Sequence, residues 1–514
     1  MKPALVVCYV TLALLAGCAS LPQDFERPSS YAMAETGDTR LARSIAPLLA
    51  RHPGDSGFYP LGEGLDAFYA RIALVQAAER SLDLQYYIWR DDLTGRVLYN
   101  QLLAAADRGV RVRILLDDLD TAGKDAMLRA VDAHPNVEVR LFNPFANRSA
   151  RLGDFVTDTR RVNRRMHNKS LTADNQATIL GGRNIGDEYF DAAADVGFRD
   201  MDVLAVGPVV AEVSGAFDLY WNSQWVYPLR AFFQGETASA EQVAAFRKAS
   251  DEYLASAEST AYADAVRAIQ LDSLQQIAEL GFSWGRWKLV YDQPAKVDAR
   301  EVKAATHLAP ALKEVIDGTG SELIIVSPYF VPGPDFTRYL VGLEQRGVRV
   351  RIMTNSLAAN DVPLVHAGYM RYRKALLEGG VELYEFKPVS AGADEGRRSG
   401  WRGSSRASLH GKFLGFDQRY LFVGSFNLDG RSVALNTELG VFFESPEYAQ
   451  ALSRGFDENA IRQGYRVLLD DRGDLYWVTV EKGEQVHFDK EPQAGYWLRF
   501  STAVMSLLVP ESQL

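Results

Sequence analysis

The chain has 514 residues, 47% hydrophobic and 24% charged, the composition of a globular protein of two to four domains and not of a disordered or fibrous one. Its net charge of -10 and pI near 5.4 lack the basic surplus of a general nucleic-acid binder.

At the amino terminus Lys2 is followed by a mostly apolar run, Ala4 to Ala16, and by Leu15-Ala16-Gly17-Cys18. A bilayer span takes about 20 apolar residues, so the run is too short to cross a membrane; it has the layout of a secretory signal with a small-residue cleavage site. The last four residues resemble a bacterial lipobox. That resemblance implies removal of residues 1–17 and a diacylglyceryl group on Cys18. With Ala19 next, it also implies the periplasmic face of the outer membrane in a Gram-negative host. Cys8, the other cysteine, leaves with the signal, so the mature chain holds no disulfide, consistent with export. Residues 18–57 read as a tether and a short helix starting near Leu41.

A first unit, residues 58–228, opens with a helix over Leu65–Arg80. Leu82, Leu84 and Tyr86 then alternate with Asp83, Gln85 and Tyr87, as in a strand with two unlike faces. A helix near Gly95–Arg108 leads to strands Val110–Leu116 and Asn136–Phe142. Residues 229–318, rich in Ala, Glu and Gln and without a chemical motif, read as a helical connecting region. The second unit, 319–465, repeats the rhythm: strand Leu323–Tyr329, helix Asp335–Arg346, strand Val348–Met353, helix Val365–Glu378, strand Val381–Phe386. Strand, helix, strand in this order predicts an α/β fold with helices over a mainly parallel sheet. The extension 466–514 carries Trp477, Tyr496, Trp497, Phe500 and the apolar stretch Ala503–Val509. It reads either as core packing or as an amphipathic surface leaning on a bilayer.

One pattern, HxKxxxxD, occurs twice: His167, Lys169 and Asp174, then His410, Lys412 and Asp417. Each copy is followed at the same distance by a Gly-rich tetrapeptide ending in Asn, Gly181-Gly182-Arg183-Asn184 and Gly424-Ser425-Phe426-Asn427. His410 follows His167 by 243 positions, Gly424 follows Gly181 by 243, VELYEF follows VEVRLF by 244, and the two GVRVRI segments are 238 apart. One order and nearly one offset mean two related units, facing each other across a pseudo-two-fold axis so that each gives half of a site.

Met166–Ala173 and Leu409–Phe416 read as strands, on which residues i and i+2 share a face. His and Lys therefore emerge side by side. A fixed ammonium disfavours a second cation, and no Cys set or HxxxH pattern is present, so no metal and no cofactor is expected. The same pair suits a phosphate, to which Lys offers three donors and a charge. Asp174 and Asp417 complete the motif where a turn is expected, and Asp bonds its own backbone in turns, which gives them a mainly structural role. Glycine lets the backbone approach a ligand, and Asn184 and Asn427 can donate to phosphate oxygens. Two histidines across a pseudo-two-fold suggest that one attacks phosphorus while the other protonates the departing alkoxide. Carboxylates that separate their pKa values are then needed, and Asp200 and Glu438 are the downstream candidates. Arg160, Arg161, Arg164 and Arg165 before the first motif, and Arg397, Arg398, Arg402 and Arg406 before the second, are solvated loops or sites for an anionic substrate or headgroups. His366 reads equally as a pocket residue or a core histidine.

This constellation resembles the phospholipase D superfamily, whose signature is a duplicated HxKxxxxD with a following GSxN or GGxN. The resemblance covers most of residues 60–465; the second copy matches fully, and the first has Gly182 in place of Ser. It implies a bilobed fold of two α/β/α sandwiches with the active site between them, and metal-independent catalysis. His167 is then the nucleophile and His410 the general acid, with Lys169, Lys412, Asn184 and Asn427 on phosphate. Asp200 is expected to orient His167, and Glu438 to orient His410. Leu84-Gln85-Tyr86-Tyr87-Ile88-Trp89, Asn163-Arg164-Arg165-Met166-His167-Asn168-Lys169-Ser170 and His366-Ala367-Gly368-Tyr369 are similar to bacterial cardiolipin synthases, particularly the C group. That likeness implies phosphatidyl transfer to phosphatidylglycerol, with phospholipid substrates and a membrane surface as partners and no nucleic acid. Hydrolysis to phosphatidic acid is the alternative, and a phosphodiesterase nuclease a weaker one.

Overall fold

Two twisted sheets, one per lobe, organise the computed structural model, which describes residues 20–192, 196–256, 277, 279–298, 307–388 and 406–508. The first holds nine strands in the order β10-β1-β8-β6-β5-β2-β3-β4-β9. These are β1 (Ser56–Leu61), β2 (Ser81–Tyr86), β3 (Arg111–Asp117), β4 (Val137–Phe142), β5 (Ser170–Ala173), β6 (Ala177–Gly181), β8 (Asp202–Val206), β9 (Val226–Pro228) and β10 (Ser283–Gly285). The second holds ten, β11-β18-β17-β16-β12-β13-β14-β19-β20-β21. They are β11 (Trp287–Tyr291), β12 (Glu322–Val326), β13 (Arg349–Asn355), β14 (Glu382–Phe386), β16 (Phe413–Phe416), β17 (Tyr420–Gly424), β18 (Leu439–Glu444), β19 (Gly464–Leu469), β20 (Leu475–Glu481) and β21 (Glu484–Phe488). A two-stranded sheet joins β7 (Val196–Arg199) to β15 (Arg406–Leu409) across the lobes.

The expected duplication is visible in the strand order. In each lobe three parallel strands, β2-β3-β4 or β12-β13-β14, continue into an antiparallel trio, β5-β6-β8 or β16-β17-β18. Helices Gly64–Ala77, Leu93–Asp107 and Asp125–Asp132 serve the first lobe, and Gly333–Gln345, Pro363–Met370 and Arg373–Glu378 the second. The expected helix Val365–Glu378 is thus two helices, broken near Arg371. The lobes meet through an apolar seam: Phe58, Leu180, Val203 and Ala205 face Leu421, Val423, Val441 and Phe443, with Phe58 and Phe443 stacked at 4.6 Å.

Both of the unlike faces of β2 are buried. Helix Val209–Trp221 covers one of them, and Asp83 is buried against Arg113, whose Nε and Nη2 donate at 2.6 and 2.8 Å. Arg113 also donates to Asp218 at 2.8 Å. Arg351, its equivalent 238 positions on, is paired with Glu322. Removing one partner leaves a buried uncompensated charge. Arg113→Ala is therefore expected to lower unfolding free energy by about 3–5 kcal/mol, read as a shift of the denaturant midpoint.

Three segments outside the two units take part in the fold. Residues 20–39 are not a loose tether: Arg27 donates to the Ser223 carbonyl at 2.7 Å, and the Ser30 and Ala32 amides bond Asn222 and Asp218, before helix Arg40–Arg51, capped by Thr39. The region 229–318 is not purely helical, because β10 edges the first sheet and β11 the second. The extension beyond 465 adds β20 and β21 to the second sheet and ends in helix Tyr496–Leu508. Cys18 and residues 1–17, read from the sequence as a signal, lie outside the described residues.

Candidate active site

Both HxK segments are extended but precede their strands rather than lying within them, since β5 starts at Ser170 and β16 at Phe413. What fixes them is a parallel bridge to the other lobe. Met166 pairs with Thr437, and the His167 amide donates to the Thr437 carbonyl at 2.8 Å. Leu409 pairs with Arg199, and the His410 amide donates to the Arg199 carbonyl at 2.7 Å. The two arrangements are pseudo-two-fold mates.

Parallel register then decides the partners. The residue after Thr437 is Glu438, and the residue after Arg199 is Asp200. His167 Nδ1 lies 2.9 Å from Glu438 Oε2, and His410 Nδ1 lies 2.5 Å from Asp200 Oδ2. The carboxylates are the expected ones, but the pairing is corrected: Glu438 orients His167, and Asp200 orients His410. Each histidine is held by the opposite lobe. Within each motif the ammonium donates back to its own histidine's carbonyl, Lys169 to His167 and Lys412 to His410, both at 2.6 Å.

All of these groups are buried, and burial sets their charge. His167 is held well below the ordinary histidine range by burial, then by the Lys169 and Lys412 ammoniums and His410. Its Nδ1 also lies 3.1 Å from the Ser425 carbonyl. A carbonyl only accepts, so Nδ1 carries the proton and Nε2 the lone pair. His410 is lowered by burial and Lys412, while Asp200 opposes the shift. Asp200 is pulled far below the usual carboxylate range: His410, Lys412 and Arg183 outweigh burial. Glu438 is pushed up to about 7 by burial, against Lys169. Both lysines are lowered, chiefly by burial.

The tetrapeptides explain their own difference. Ser425 Oγ donates to Glu438 Oε2 at 2.5 Å, and Ser432 Oγ to Oε1 at 2.8 Å. At Gly182, a Cβ would sit 2.2 Å from Asp200 Oδ1, so serine has no room beside the shorter carboxylate's position. Arg183, fully buried, donates to the Asp200 carbonyl at 2.8 Å and supplies the charge that the first lobe lacks in hydroxyls. Asn184 Oδ1 accepts from the Ile88 amide at 3.1 Å, while Asn427 is buried with Oδ1 unpartnered. Asp174 and Asp417 stand apart from the chemistry. Each sits in a left-handed turn, φ 51°, and accepts the amides of three successive residues, Glu79, Arg80 and Ser81 in one lobe and Gly320, Ser321 and Glu322 in the other. They are structural members of the motif.

Several residues at the site carry no signal in the motif. Tyr87 and Tyr189 form T-shaped ring pairs with His167 and His410, with centroids 5.0 and 5.1 Å apart. From the connecting region, Asp292 accepts the Glu438 amide at 2.9 Å and Lys296 at 2.8 Å, and Lys296 donates to the Ser432 carbonyl at 2.8 Å. The first arginine cluster is largely consumed by the fold: Arg161 binds Asp158, Arg164 spans to the Lys296 and Ala434 carbonyls, Arg165 is buried on Asp117, and Arg160 is exposed. Arg397, Arg398 and Arg402 lie outside the described residues, and Arg406 opens β15. A cavity of about 560 Å³ borders the second tetrapeptide, lined by Leu312, Ile316, Val331, Phe336, Phe426 and Leu428.

Among the described residues one group, His366, Glu385 and Glu491, gathers three potential metal donors. Arg373 donates to Glu385 at 2.9 Å and to Glu491 at 2.6 Å, so a guanidinium already supplies the cation there. His366 is a core residue of this cluster.

Two His-Lys pairs at the junction of duplicated α/β lobes define a phospholipase D type centre for phosphodiester chemistry. The family model described as "Cardiolipin synthase, PLD-like domain" matches residues 72–221 and 312–460, and the chain belongs to that family of phospholipid enzymes. It is 42% identical over 478 residues to cardiolipin synthase C of Escherichia coli K12, covering 92% of this chain and 99% of that one. An uncharacterized protein of Helicobacter pylori 26695 is 31% identical, covering 98% and 99%. Among solved structures, phosphatidylserine synthase of Haemophilus influenzae Rd KW20 has the same fold, with a TM-score of 0.54 at 16% identity over 91% of this chain and 96% of that one.

Proposed function

We propose that the protein is a phosphatidyltransferase that forms cardiolipin through a covalent phosphohistidine. The observation that carries this reading is the crosswise tethering of two buried histidines by Nδ1 to carboxylates, with buried Lys169 and Lys412 near enough to lower both rings. A phosphodiester anion entering this centre meets Lys169, Lys412 and the Asn184 and Asn427 amides. His167 Nε2 attacks phosphorus, the bond to the leaving alcohol oxygen breaks, and protonated His410 gives that oxygen its proton. In the second half-reaction His410 removes the proton of an acceptor hydroxyl as its oxygen attacks phosphorus and expels His167. The apolar cavity beside Phe426 and Leu428 lies within the 300–1,000 Å³ typical of ligand pockets, and suits an acyl chain better than a polar diester.

The acceptor decides between transfer and hydrolysis. Expression in a cardiolipin-free bacterial strain, followed by lipid profiling, is expected to yield cardiolipin with the wild-type chain and none with His167→Ala or His410→Ala. Phosphatidic acid instead would assign water as the acceptor, and neither product would overturn both readings.

A further inference from the structure

Helix Tyr496–Leu508 presents its apolar side outward. Tyr496, Trp497, Phe500, Val504 and Leu507 are all exposed, Trp497 at 76% and Leu507 at 84%. At 3.6 residues per turn these five fall within one arc of about 100°. The opposite side meets helix Pro363–Met370, where Thr502 is fully buried and Arg371 Nε donates to the Ser506 carbonyl at 2.6 Å. A surface helix of a water-surrounded protein has the reverse arrangement. Nor is the orientation loose, because Glu491, just upstream, is pinned to Arg373 in the buried Glu385 cluster.

The other lobe has a matching feature. Leu152 and Val156, 82% and 84% exposed, with Phe155 beside them, stand on helix Arg151–Thr157, and exposed Arg160 follows. Helix Arg151–Thr157 comes after β4, and helix Pro363–Met370 comes after β13. Both thus lie beyond the carboxyl ends of parallel strands, the edge at which Asp117 and Asn143 in one lobe and Asn355 in the other hold the catalytic segments. Each apolar patch is thus carried by, or packed on, a helix that follows a parallel strand at that edge.

We propose that these two patches form a bilayer-docking face that seats the active-site cleft against a lipid surface, with helix Tyr496–Leu508 entering the headgroup boundary. The inference rests on the phospholipid-transfer reading for its substrate. Exposed contiguous apolar surface marks an interaction site, and Trp and Tyr on an apolar stripe are the residues that settle at a membrane interface. The helix contains one charged residue, Arg499, and no acid, as contact with anionic headgroups requires.

The test uses the full chain with vesicles of phosphatidylethanolamine and phosphatidylglycerol containing brominated acyl chains. Tryptophan emission is expected to be quenched in the wild type, with that component missing from Trp497→Phe; equal quenching in the two proteins overturns the proposal. A Phe500→Glu/Leu507→Glu variant is expected to lose at least tenfold in rate on vesicles and to retain its rate on a monomeric short-chain phospholipid. Equal loss on both substrates, or on neither, also overturns it. A wild-type dimer that the double variant dissociates, without bromolipid quenching, would assign the face to a second copy. Absence of activity on either lipid would defeat the functional reading while quenching still decides docking.

Discussion

His167→Ala is expected to reduce phosphatidyl transfer by about 10⁴-fold or more and to leave no covalent intermediate. Denaturing with SDS at alkaline pH during turnover, where the P–N bond survives, should trap phosphohistidine in the His410→Ala protein and none in His167→Ala. The asymmetry follows from the environment of each ring. His167 is neutral across the working range because burial and two ammoniums press on it, and the Ser425 carbonyl fixes the tautomer that leaves the lone pair on Nε2. Its carboxyl partner, pushed up to about 7 by burial, is only partly ionised near neutral pH and favours an imidazolium less than a fully charged carboxylate does. His410 faces Asp200, which stays ionised far below neutral pH and favours the protonated ring. A trapped adduct in His167→Ala and none in His410→Ala would exchange the roles.

The sequence made the halves of this centre legible and hid how they interlock. Equal offsets between the two HxK motifs, the tetrapeptides and the β4 and β14 segments identify the duplication, and the parallel-sheet rhythm follows from local hydrophobic periodicity. The pairing of histidines with carboxylates does not follow, because nothing local records that Met166 bridges Thr437 or that Leu409 bridges Arg199. Proximity in the chain suggested Asp200 for His167; the crossed register reverses it. Asp292 and Lys296 carry no sequence signal for a related reason: a buried ion pair supporting Glu438 has no motif, and it sits in a region whose composition reads as plain helix. Alternation along β2 marks two unlike faces but not the helix that covers one of them, whose Asp218 shares Arg113 with Asp83. The aromatic tail reads as core packing or as a bilayer-facing surface, since both use the same residues; the structure buries Trp477 and exposes Tyr496, Trp497 and Phe500.

The crossed pairing has its own large consequence, and Asp200→Asn isolates it. Asparagine keeps the shape of the side chain and an oxygen for the Met201 amide, which Asp200 Oδ1 accepts at 2.7 Å, but it removes the charge that holds His410 up against burial and Lys412. The folded protein should survive while kcat falls about 10²–10⁴-fold. The sign of the pH effect is fixed: losing the anion lowers the His410 pKa, so the alkaline limb of kcat, where the general acid is deprotonated, moves to lower pH. A p-nitrophenyl phosphodiester separates this from damage to the nucleophile, because p-nitrophenolate departs without a proton. On that substrate the formation of the phosphohistidine in Asp200→Asn should approach the wild-type rate. Glu438→Gln should stay slow on both substrates, since it disturbs the hold on His167 Nδ1. If the activated ester rescued Glu438→Gln and not Asp200→Asn, each carboxylate would serve the histidine of its own lobe, and the parallel bridges would not set the chemistry.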